Sequence, residues 1–384
     1  MDMTYAAVIL TFLVFVASLI SVELALSAAI VEIALGVVAG NFLGLHSVPW
    51  MDFLAGFGGI LLTFLAGAEV DVQLLRRKFK ESFSIGIVSF LFPYLAAIFF
   101  CRFVTGWTWK AALVAGCALS TTSLAVVYAV LVETGLNKAE IGKIIMAATF
   151  ITDMGTAIAL SISFAEWNIR MLGFLAGSAV LIVLAPRFLP KVFERYGSKV
   201  IEPEIKLLFF LLFCVMALAS WGKSHAVLPV FIIGVSLSSM FHSHRELQRK
   251  LRIVAFAMIT PFFFIKGGMN VSLTELGRNI GLFVMLFMLK TIAKGIGVWP
   301  VARYYIKDHA IYTTLLMSTG LTFGTISSVY GLEAGYINSS QFSVLVGVVI
   351  ATAIIPTLIA QRWFKPSLPQ DIQEELLATE EESL

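Results

Sequence analysis

One aspartate lies near the middle of a long apolar stretch. The segment MAATFITDMGTAIAL, residues 146–160, carries Asp153 among apolar and hydroxyl residues. A charged side chain at the centre of a bilayer costs about 2.5–3.5 kcal/mol on insertion scales, and function is the usual reason for retaining it. A carboxyl group binds either a proton or a hard cation, and burial in a medium of low dielectric constant favours its protonated form. The sequence therefore predicts that Asp153 exchanges a proton for a monovalent cation such as Na⁺ or K⁺.

Hydroxyl side chains accompany this carboxylate. Thr152 precedes Asp153 directly, and the segment LSTTSLAV, residues 119–126, places consecutive hydroxyl residues inside another apolar stretch. Neutral oxygen ligands beside Asp153 are predicted to come from Thr152, Thr122 and Ser123. In the alternative interpretation, Asp153 is only the structural partner of a buried lysine.

Lys266, Lys290 and Lys294 also fall inside apolar stretches. Lys290 and Lys294 are four residues apart and share one face of a helix. Each lysine is predicted to support the site, either by neutralising the negative end of an interrupted helix or by pairing with Asp153. The alternative for each is an ammonium group that reaches the membrane surface along its own flexible chain.

The elements that must hold these residues are membrane spans. The chain of 384 residues is 59% hydrophobic and only 13% charged, whereas soluble domains are roughly half apolar and a quarter charged. About 20 apolar residues cross a bilayer as a helix, and thirteen such spans are predicted. Residues 1–366 therefore form an all-α polytopic membrane domain, and residues 367–384 form an acidic cytoplasmic tail. The predicted spans are residues 4–20, 24–43, 52–69, 83–104, 111–132, 141–163, 171–189, 206–221, 226–241, 253–269, 279–302, 310–331 and 339–361.

Basic residues predict the orientation of the chain in a cell (inner) membrane. With the N-terminus outside, 19 lysines and arginines fall in cytoplasmic loops and 5 in outer loops. Related motifs begin at Phe64 (FLAGAEVDVQLL) and Phe264 (FIKGGMNVSLTEL), and in this orientation they leave the membrane on opposite sides. The chain is therefore predicted to contain inverted repeats, which are a signature of secondary transporters.

A second pair of motifs at the same spacing predicts two broken helices that cross. LSTTSLAV interrupts the fifth span and MSTGLTFGTISS, residues 317–328, interrupts the twelfth. Glycine and hydroxyl clusters at mid-span are typical of unwound helices, although small residues also line close helix contacts. The same spacing places Ala353 opposite Asp153, so only one half carries the acid. The residues predicted at the breaks are Ser120, Thr121, Thr319, Gly320 and Gly324.

Other classes of function have less support. An intramembrane enzyme needs a second acid or a nucleophile pair at depth, and the sequence suggests neither. A membrane receptor or scaffold remains the third class, in which Asp153 is dispensable. The three cysteines form no CxxC pair and predict neither a disulfide framework nor a metal site. We expect no cofactor, no metal other than the transported cation and no nucleic-acid partner.

Taken together, these motifs resemble bacterial cation/proton antiporters of the monovalent cation/proton antiporter-2 family, which are relatives of the sodium/proton antiporters. The similar segments span nearly the whole chain: VEIALGVVAG (31–40), LTFLAGAEVDVQLL (62–75), LSTTSLAVV (119–127), FITDMG (150–155), PFFFIKGGMNVSL (261–273) and AKGIGV (293–298).

The resemblance implies a homodimer, with a dimerisation domain and a core of six helices in each protomer. The core is expected at about residues 83–163 and 279–361, and the remaining spans form the dimerisation domain. Asp153 then carries the cation or the proton in an elevator-like mechanism, with Thr122 nearby. Lys294 best matches the lysine of the family, and Lys290 is the alternative.

The predicted activity is Na⁺/H⁺ exchange, and K⁺/H⁺ exchange of the potassium-efflux type is the alternative. Electrogenic members of the family usually carry two adjacent aspartates, but Thr152 replaces the first of them here. Because a single carboxylate carries either one proton or one monovalent cation, the charge count predicts electroneutral exchange.

Overall fold

A computed structural model describes residues 3–24, 27–70, 72–134, 136–137, 139–163, 169–196, 201–222, 224 and 226–366. The predicted acidic tail, residues 367–384, lies outside the described residues. The helices of the described chain are α1 (Met3–Leu24), α2 (Ala28–Asn41), α3 (Pro49–Ala68), α4 (Val72–Arg77), α5 (Phe79–Phe99), α6 (Trp109–Ser120), α7 (Leu124–Glu133), α8 (Glu140–Ser163), α9 (Ile169–Tyr196), α10 (Pro203–Trp221), α11 (Val227–Ser243), α12 (Arg245–Val254), α13 (Thr260–Met269), α14 (Leu273–Arg278), α15 (Ile280–Tyr305), α16 (Ala310–Met317), α17 (Thr322–Glu333) and α18 (Ser339–Trp363).

The fold class agrees with the sequence prediction. Within the described residues, ten helical stretches are long and apolar enough to cross a membrane, and α2, α6 and most of α11 are shorter apolar helices. The prediction of an all-α polytopic membrane protein with about thirteen spans is therefore confirmed.

For several helices, hydropathy marked the apolar part and missed the polar extensions. The seventh span, predicted at residues 171–189, is the 28-residue helix α9, which runs through Pro186 and Pro190 to Tyr196. The backbone hydrogen bonds of a helix do not require apolar side chains, so the helix continues beyond the point at which lipid burial ends.

The chain divides into two compact units. Unit 1 combines residues 1–72 with 157–270, and unit 2 combines residues 73–156 with 271 onwards. The boundary falls within α8, so Asp153 belongs to unit 2.

Glycines bring two helix pairs of unit 1 into close contact. A side chain at Gly36 of α2 or at Gly268 of α13 would collide with the backbone of the other helix. The same holds for Gly67 of α3 and Gly234 of α11. Small residues at such positions allow helix backbones to approach closely, which is a common way of packing helices in membranes. Gly67, the glycine of the motif that begins at Phe64, thus has a role in helix packing.

Unit 2 contains two helix series of the same order. In the first, α5 precedes the helix pair α6 and α7, and α8 follows; in the second, α15 precedes α16 and α17, and α18 follows. The first break is residues 121–123 and the second is residues 318–321. The helices around them begin at ordinary capping residues: the Thr108 side chain accepts from the backbone at the start of α6, and Asn338 forms a capping box with Gln341 at the start of α18.

Candidate ion-binding site

The two broken helices contact each other at their interruptions. The Thr122 hydroxyl in the first break donates a hydrogen bond of 2.8 Å to the carbonyl oxygen of Met317, the last residue of α16. The backbone N–H of Ser123 lies 3.4 Å from the Thr319 hydroxyl in the second break, to which it donates. The last carbonyls of a helix have no partner within it. Each break therefore provides a hydroxyl group that forms a hydrogen bond with a free backbone group of the other break. This contact joins the two halves of unit 2.

Lys294 fastens the first break to α5. Its fully buried Nζ donates to the Ser89 hydroxyl at 2.7 Å, to the Ser120 carbonyl at 2.9 Å and to the Thr122 hydroxyl at 2.9 Å. An ammonium group has three donors and no acceptor, and these three oxygens use all of its donors. The Ser120 carbonyl is the negative end of α6, so a positive charge there is favourable.

Asp153 is buried, with only 3% of the residue exposed. No described group donates a hydrogen bond to its Oδ1 atom. Its charge interacts with that of Lys294, but the three donors of Lys294 are directed to other oxygens. The carboxyl group therefore faces a positive charge and keeps an oxygen that a proton or a cation can take.

The Thr152 hydroxyl is directed towards α5. Its hydroxyl lies 3.2 Å from the carbonyl oxygen of Gly86 and 3.1 Å from that of Ala148, and both are acceptors. A side chain at Gly86 would collide with Ile151 and Ala148, so the missing side chain permits this close approach. The hydroxyl of Thr152 thus links α8 to α5, and only its lone pairs remain for a cation.

Ser123 and Ser120 also have partners within the described structure. The Ser123 hydroxyl accepts a hydrogen bond of 3.4 Å from the N–H of Val126, in the first turn of α7. The Ser120 hydroxyl donates to the carbonyl of Cys117 and lies 3.4 Å from the hydroxyl of Thr156 on α8. These contacts give both serines a structural role. As hydroxyl oxygens, they still have unused acceptor capacity.

Lys290 lies at the second break. It is 1% exposed, and its Nζ donates to the Thr352 hydroxyl of α18 at 3.1 Å. A side chain at Gly320 would collide with this Nζ and would crowd Thr121. At Gly324, a side chain would press against the carbonyl oxygen of Ala118. The second break therefore needs Gly320 to admit an amine. Gly324, which was predicted at the break, lies in α17 and brings that helix close to α6.

Lys266 belongs to unit 1. Its Nζ is 2.9 Å from the Oδ1 atom of Asp52, in the first turn of α3, and the Asp52 side chain is 44% exposed. Sequence reasoning grouped Lys266 with Asp153 as a supporting charge, but the acid that pairs with it is Asp52. Any effect of Lys266 on ion binding stays a prediction.

Sequence reasoning missed Ser89 and Thr352, the hydroxyl partners of the two lysines. The sequence repeat could have identified Thr352, because the 200-residue spacing makes it the counterpart of Thr152. Ser89 is 205 residues from Lys294, and no local pattern marks that contact.

These features define a class of protein. A polytopic helical fold with two interrupted helices in contact, and with a buried acid beside them, is typical of secondary transporters. The model of the transmembrane sodium/hydrogen exchanger family matches residues 8–365, and the chain belongs to this family. It is a monovalent cation/proton antiporter, and therefore a transporter rather than an enzyme, as predicted.

The chain is similar to antiporters from several organisms. It is 26% identical over 329 residues to a probable Na⁺/H⁺ antiporter 3 of Methanocaldococcus jannaschii, which covers 82% of this chain and 84% of the relative. It is 25% identical over 351 residues to the Na⁺/H⁺-K⁺ antiporter GerN of Bacillus cereus, which covers 88% and 89%. The solved structure of the sodium proton antiporter MjNhaP1 from M. jannaschii superimposes with a TM-score of 0.70 at 17% identity, covering 95% of this chain and 100% of the other. The last comparison shows the fold.

Proposed function

We propose that the chain exchanges Na⁺ for protons and that both bind at Asp153. The observation that carries this proposal is the buried Asp153 carboxyl group, for whose Oδ1 atom no described group provides a hydrogen bond. A buried ionised carboxylate without a partner is costly. A proton or a cation removes that cost, and the two compete for the same oxygens. This competition is the chemical basis of exchange.

The cation is expected to complete its shell with neutral oxygens near the breaks. Thr122 and Ser123 lie in the first break, and the hydroxyl oxygen of each keeps acceptor capacity beyond the bonds described. We propose that Thr152 contributes less to cation binding, because its hydroxyl already donates within the contact between α8 and α5. Lys294 is proposed to hold the site together and to set its electrostatic potential.

The names of the relatives support Na⁺ as the cation. The similar protein from M. jannaschii is named for Na⁺. K⁺ is the alternative, and the similar protein from Bacillus cereus, which is named for both Na⁺ and K⁺, keeps that alternative open. An oxygen site of this kind accepts either ion, and the selection depends on its size and rigidity.

Alternating access, assembly and orientation are further parts of the proposal. The division into two compact units supports an elevator-like mechanism in which unit 2, with both breaks, is the moving part. Unit 1 is then the stationary part and supplies the contacts of a homodimer. The distribution of basic residues supports an outer N-terminus and a cytoplasmic C-terminus.

The test is proton flux in proteoliposomes that contain the full chain and a pH-sensitive dye. After an acidic interior is established, NaCl, KCl, LiCl or choline chloride is added outside. We expect Na⁺ to drive proton efflux at the lowest concentration and choline to drive none.

Two controls complete this experiment. Asp153→Asn keeps the size of the side chain but removes its ionisable group, so it should abolish the response. Glu140→Gln makes the same chemical change at the exposed start of α8 and should leave the response intact. Proton flux that is independent of the added cation would overturn the proposed function, and preference for K⁺ would select the alternative.

A further inference from the structure

One end of unit 2 carries an arginine that is stacked on a tryptophan. Helix α5 continues through a π-helical turn, Phe100–Val104, before the chain enters α6. The guanidinium carbon of Arg102 lies 5.3 Å from the centroid of the ring of Trp109, the first residue of α6. The Nη1 atom of Arg102 donates a hydrogen bond of 3.2 Å to the carbonyl oxygen of Trp107. A backbone carbonyl and an aromatic ring therefore hold this cation in place.

The guanidinium group of Arg102 keeps donors for a ligand. A guanidinium group has five N–H donors and a permanent positive charge, and the bond to Trp107 uses one donor. In the part of the chain that the structure describes, no group accepts from the Nε atom of Arg102 and no carboxylate forms an ion pair with this residue. Guanidinium groups bind phosphate through pairs of parallel N–H donors. Arg102 is therefore suited to an anionic phosphate ligand.

Positive charge predominates at this end of unit 2. Lys110 follows Trp109 in α6, and its Nζ atom is 4.3 Å from the centroid of the Tyr336 ring, between α17 and α18. The acids here are Glu333, in the last turn of α17, and Glu275, which pairs with Arg278. In the orientation proposed above this end faces outwards, where 5 of the 27 lysines and arginines lie. Cations are scarce on that side of the chain, yet here they outnumber the acids.

An exposed apolar stripe runs along α5 away from Arg102. Its side chains recur at helical spacing, are between 44% and 65% exposed, and are Phe103, Phe99, Leu95 and Phe92. The rings of Phe99 and Phe103 stack with centroids 5.8 Å apart, and Phe103 meets the edge of Trp109 at 5.9 Å. The helix is long and apolar enough to cross a membrane. An acyl chain on this stripe would place its polar end at Arg102.

We propose that Arg102, Trp109 and the stripe of α5 form a binding site for one anionic phospholipid. The guanidinium group binds the phosphate, and one acyl chain lies along Phe103 and Phe99. Tryptophan favours the boundary between membrane and water because its ring is apolar and its N–H is polar. Basic groups at that boundary attract anionic headgroups, so the excess of cations favours an anionic lipid over a zwitterionic one. This inference adds a lipid ligand to the proposed exchanger and makes no assumption about the transported ion.

Native mass spectrometry of the purified full chain tests the proposal. The delipidated protein is mixed in detergent with phosphatidylglycerol, or with phosphatidylcholine that carries the same acyl chains. The fraction with one bound lipid is measured as the lipid concentration rises. We expect the wild type to bind phosphatidylglycerol at least about fivefold more tightly than phosphatidylcholine, because a charge-assisted hydrogen bond is stronger than a neutral one.

Variants of the site and a matched control locate this preference. Arg102→Gln removes the charge and should reduce the preference to less than about twofold. Arg102→Lys keeps the charge but loses the planar group, so it should retain only part of the preference. Arg170→Gln makes the same change as Arg102→Gln at an exposed arginine of α9, on the same proposed side of the membrane, and should keep the full preference.

Two further variants complete the test. Phe103→Ser shortens the apolar stripe and should weaken the binding of both lipids by a similar factor, because their acyl chains are the same. Should Arg102→Gln fail to fold, Trp109→Leu removes the stacked ring, which is 54% exposed, and should also lower the preference.

Three results would overturn the site. The first is equal affinity of the wild type for the two lipids. The second is a preference that both Arg102→Gln and Trp109→Leu leave unchanged. The third is an equal loss of preference in Arg102→Gln and Arg170→Gln, which would show that only the overall charge of the protein attracts the lipid.

Discussion

The two breaks of unit 2 have the same architecture but different chemistry. Beside the first break, α8 carries Asp153, and Lys294 is held by three oxygens. At the second break, α18 carries Ala353 at the position equivalent to Asp153, and Lys290 has one described acceptor. The threonine that precedes each of these positions is retained, as Thr152 and Thr352.

With the proposed function, this difference explains how a duplicated fold acquires a single ion site. Both halves need a break, because the backbone groups freed in one are partnered by the other. Only one half needs an acid. In the second half, the Lys290 amine occupies the volume that the missing side chain of Gly320 leaves free, so the asymmetry lies in the side chains and not in the backbone.

The largest expected effect comes from removing the acid of the first half. Asp153→Asn should reduce Na⁺-driven proton flux at least about 100-fold, because an amide neither ionises nor neutralises a cation. Flux in proteoliposomes is the measurement, alongside thermal unfolding to verify that the fold is retained. Transport by Asp153→Asn near the wild-type rate would mean that the carboxyl group, although present in only one half, is not needed for exchange.

A second prediction compares the two lysines through stability. Lys294→Gln removes three hydrogen bonds from a charged donor and should destabilise the protein by about 2–4 kcal/mol. Lys290→Gln loses at most one bond, that to Thr352, and should cost less than about 1 kcal/mol. Thermal unfolding of both variants in the same detergent measures the difference, and some exchange is expected to survive in each.

The contrast between the lysines can also fail. Similar losses of stability would show that Lys290 is held as firmly as Lys294. Lost transport with unchanged stability in Lys294→Gln would instead indicate that Lys294 carries a proton itself.

A third prediction concerns the retained threonines. Thr152→Val removes the hydrogen bond that links α8 to α5 and should cost about 1 kcal/mol, while the Na⁺ affinity changes less than about threefold. Thr352→Val removes the described hydrogen-bond acceptor of Lys290 and should also cost about 1 kcal/mol, because one hydrogen bond is lost in each variant. A large loss of affinity in Thr152→Val alone would make its hydroxyl a direct ligand.

The smallest expected effect lies outside the pair of breaks. Lys266→Ala leaves Asp52 without its partner in unit 1, and partly exposed ion pairs contribute about 0–1 kcal/mol. We expect a shift in apparent Na⁺ affinity of less than about fivefold, and Asp52→Asn should reproduce it. A larger shift in Lys266→Ala alone would indicate that the lysine acts on the ion directly.

The sequence by itself determined the features that depend on neighbouring residues. Apolar length predicted the spans. Clustered glycines and hydroxyls predicted both breaks, which the structure places at residues 121–123 and 318–321, with the predicted Ser120 and Gly324 inside the adjoining helices. The 200-residue spacing exposed the repeat and the missing acid at Ala353. A carboxylate in an apolar stretch singled out Asp153, because the cost of burying it is a property of that one residue and its surroundings.

Only the tertiary structure decided which groups satisfy one another. Lys294 meets Ser89, 205 residues away, and Thr122 meets Met317, 195 residues away. The sequence predicted roles at the ion site for Thr152 and Lys266, and these stay predictions. The structure adds that Thr152 faces Gly86 and that Lys266 pairs with Asp52. A hydrogen bond forms with whichever group lies within about 3 Å, and distant segments come that close only when helices pack.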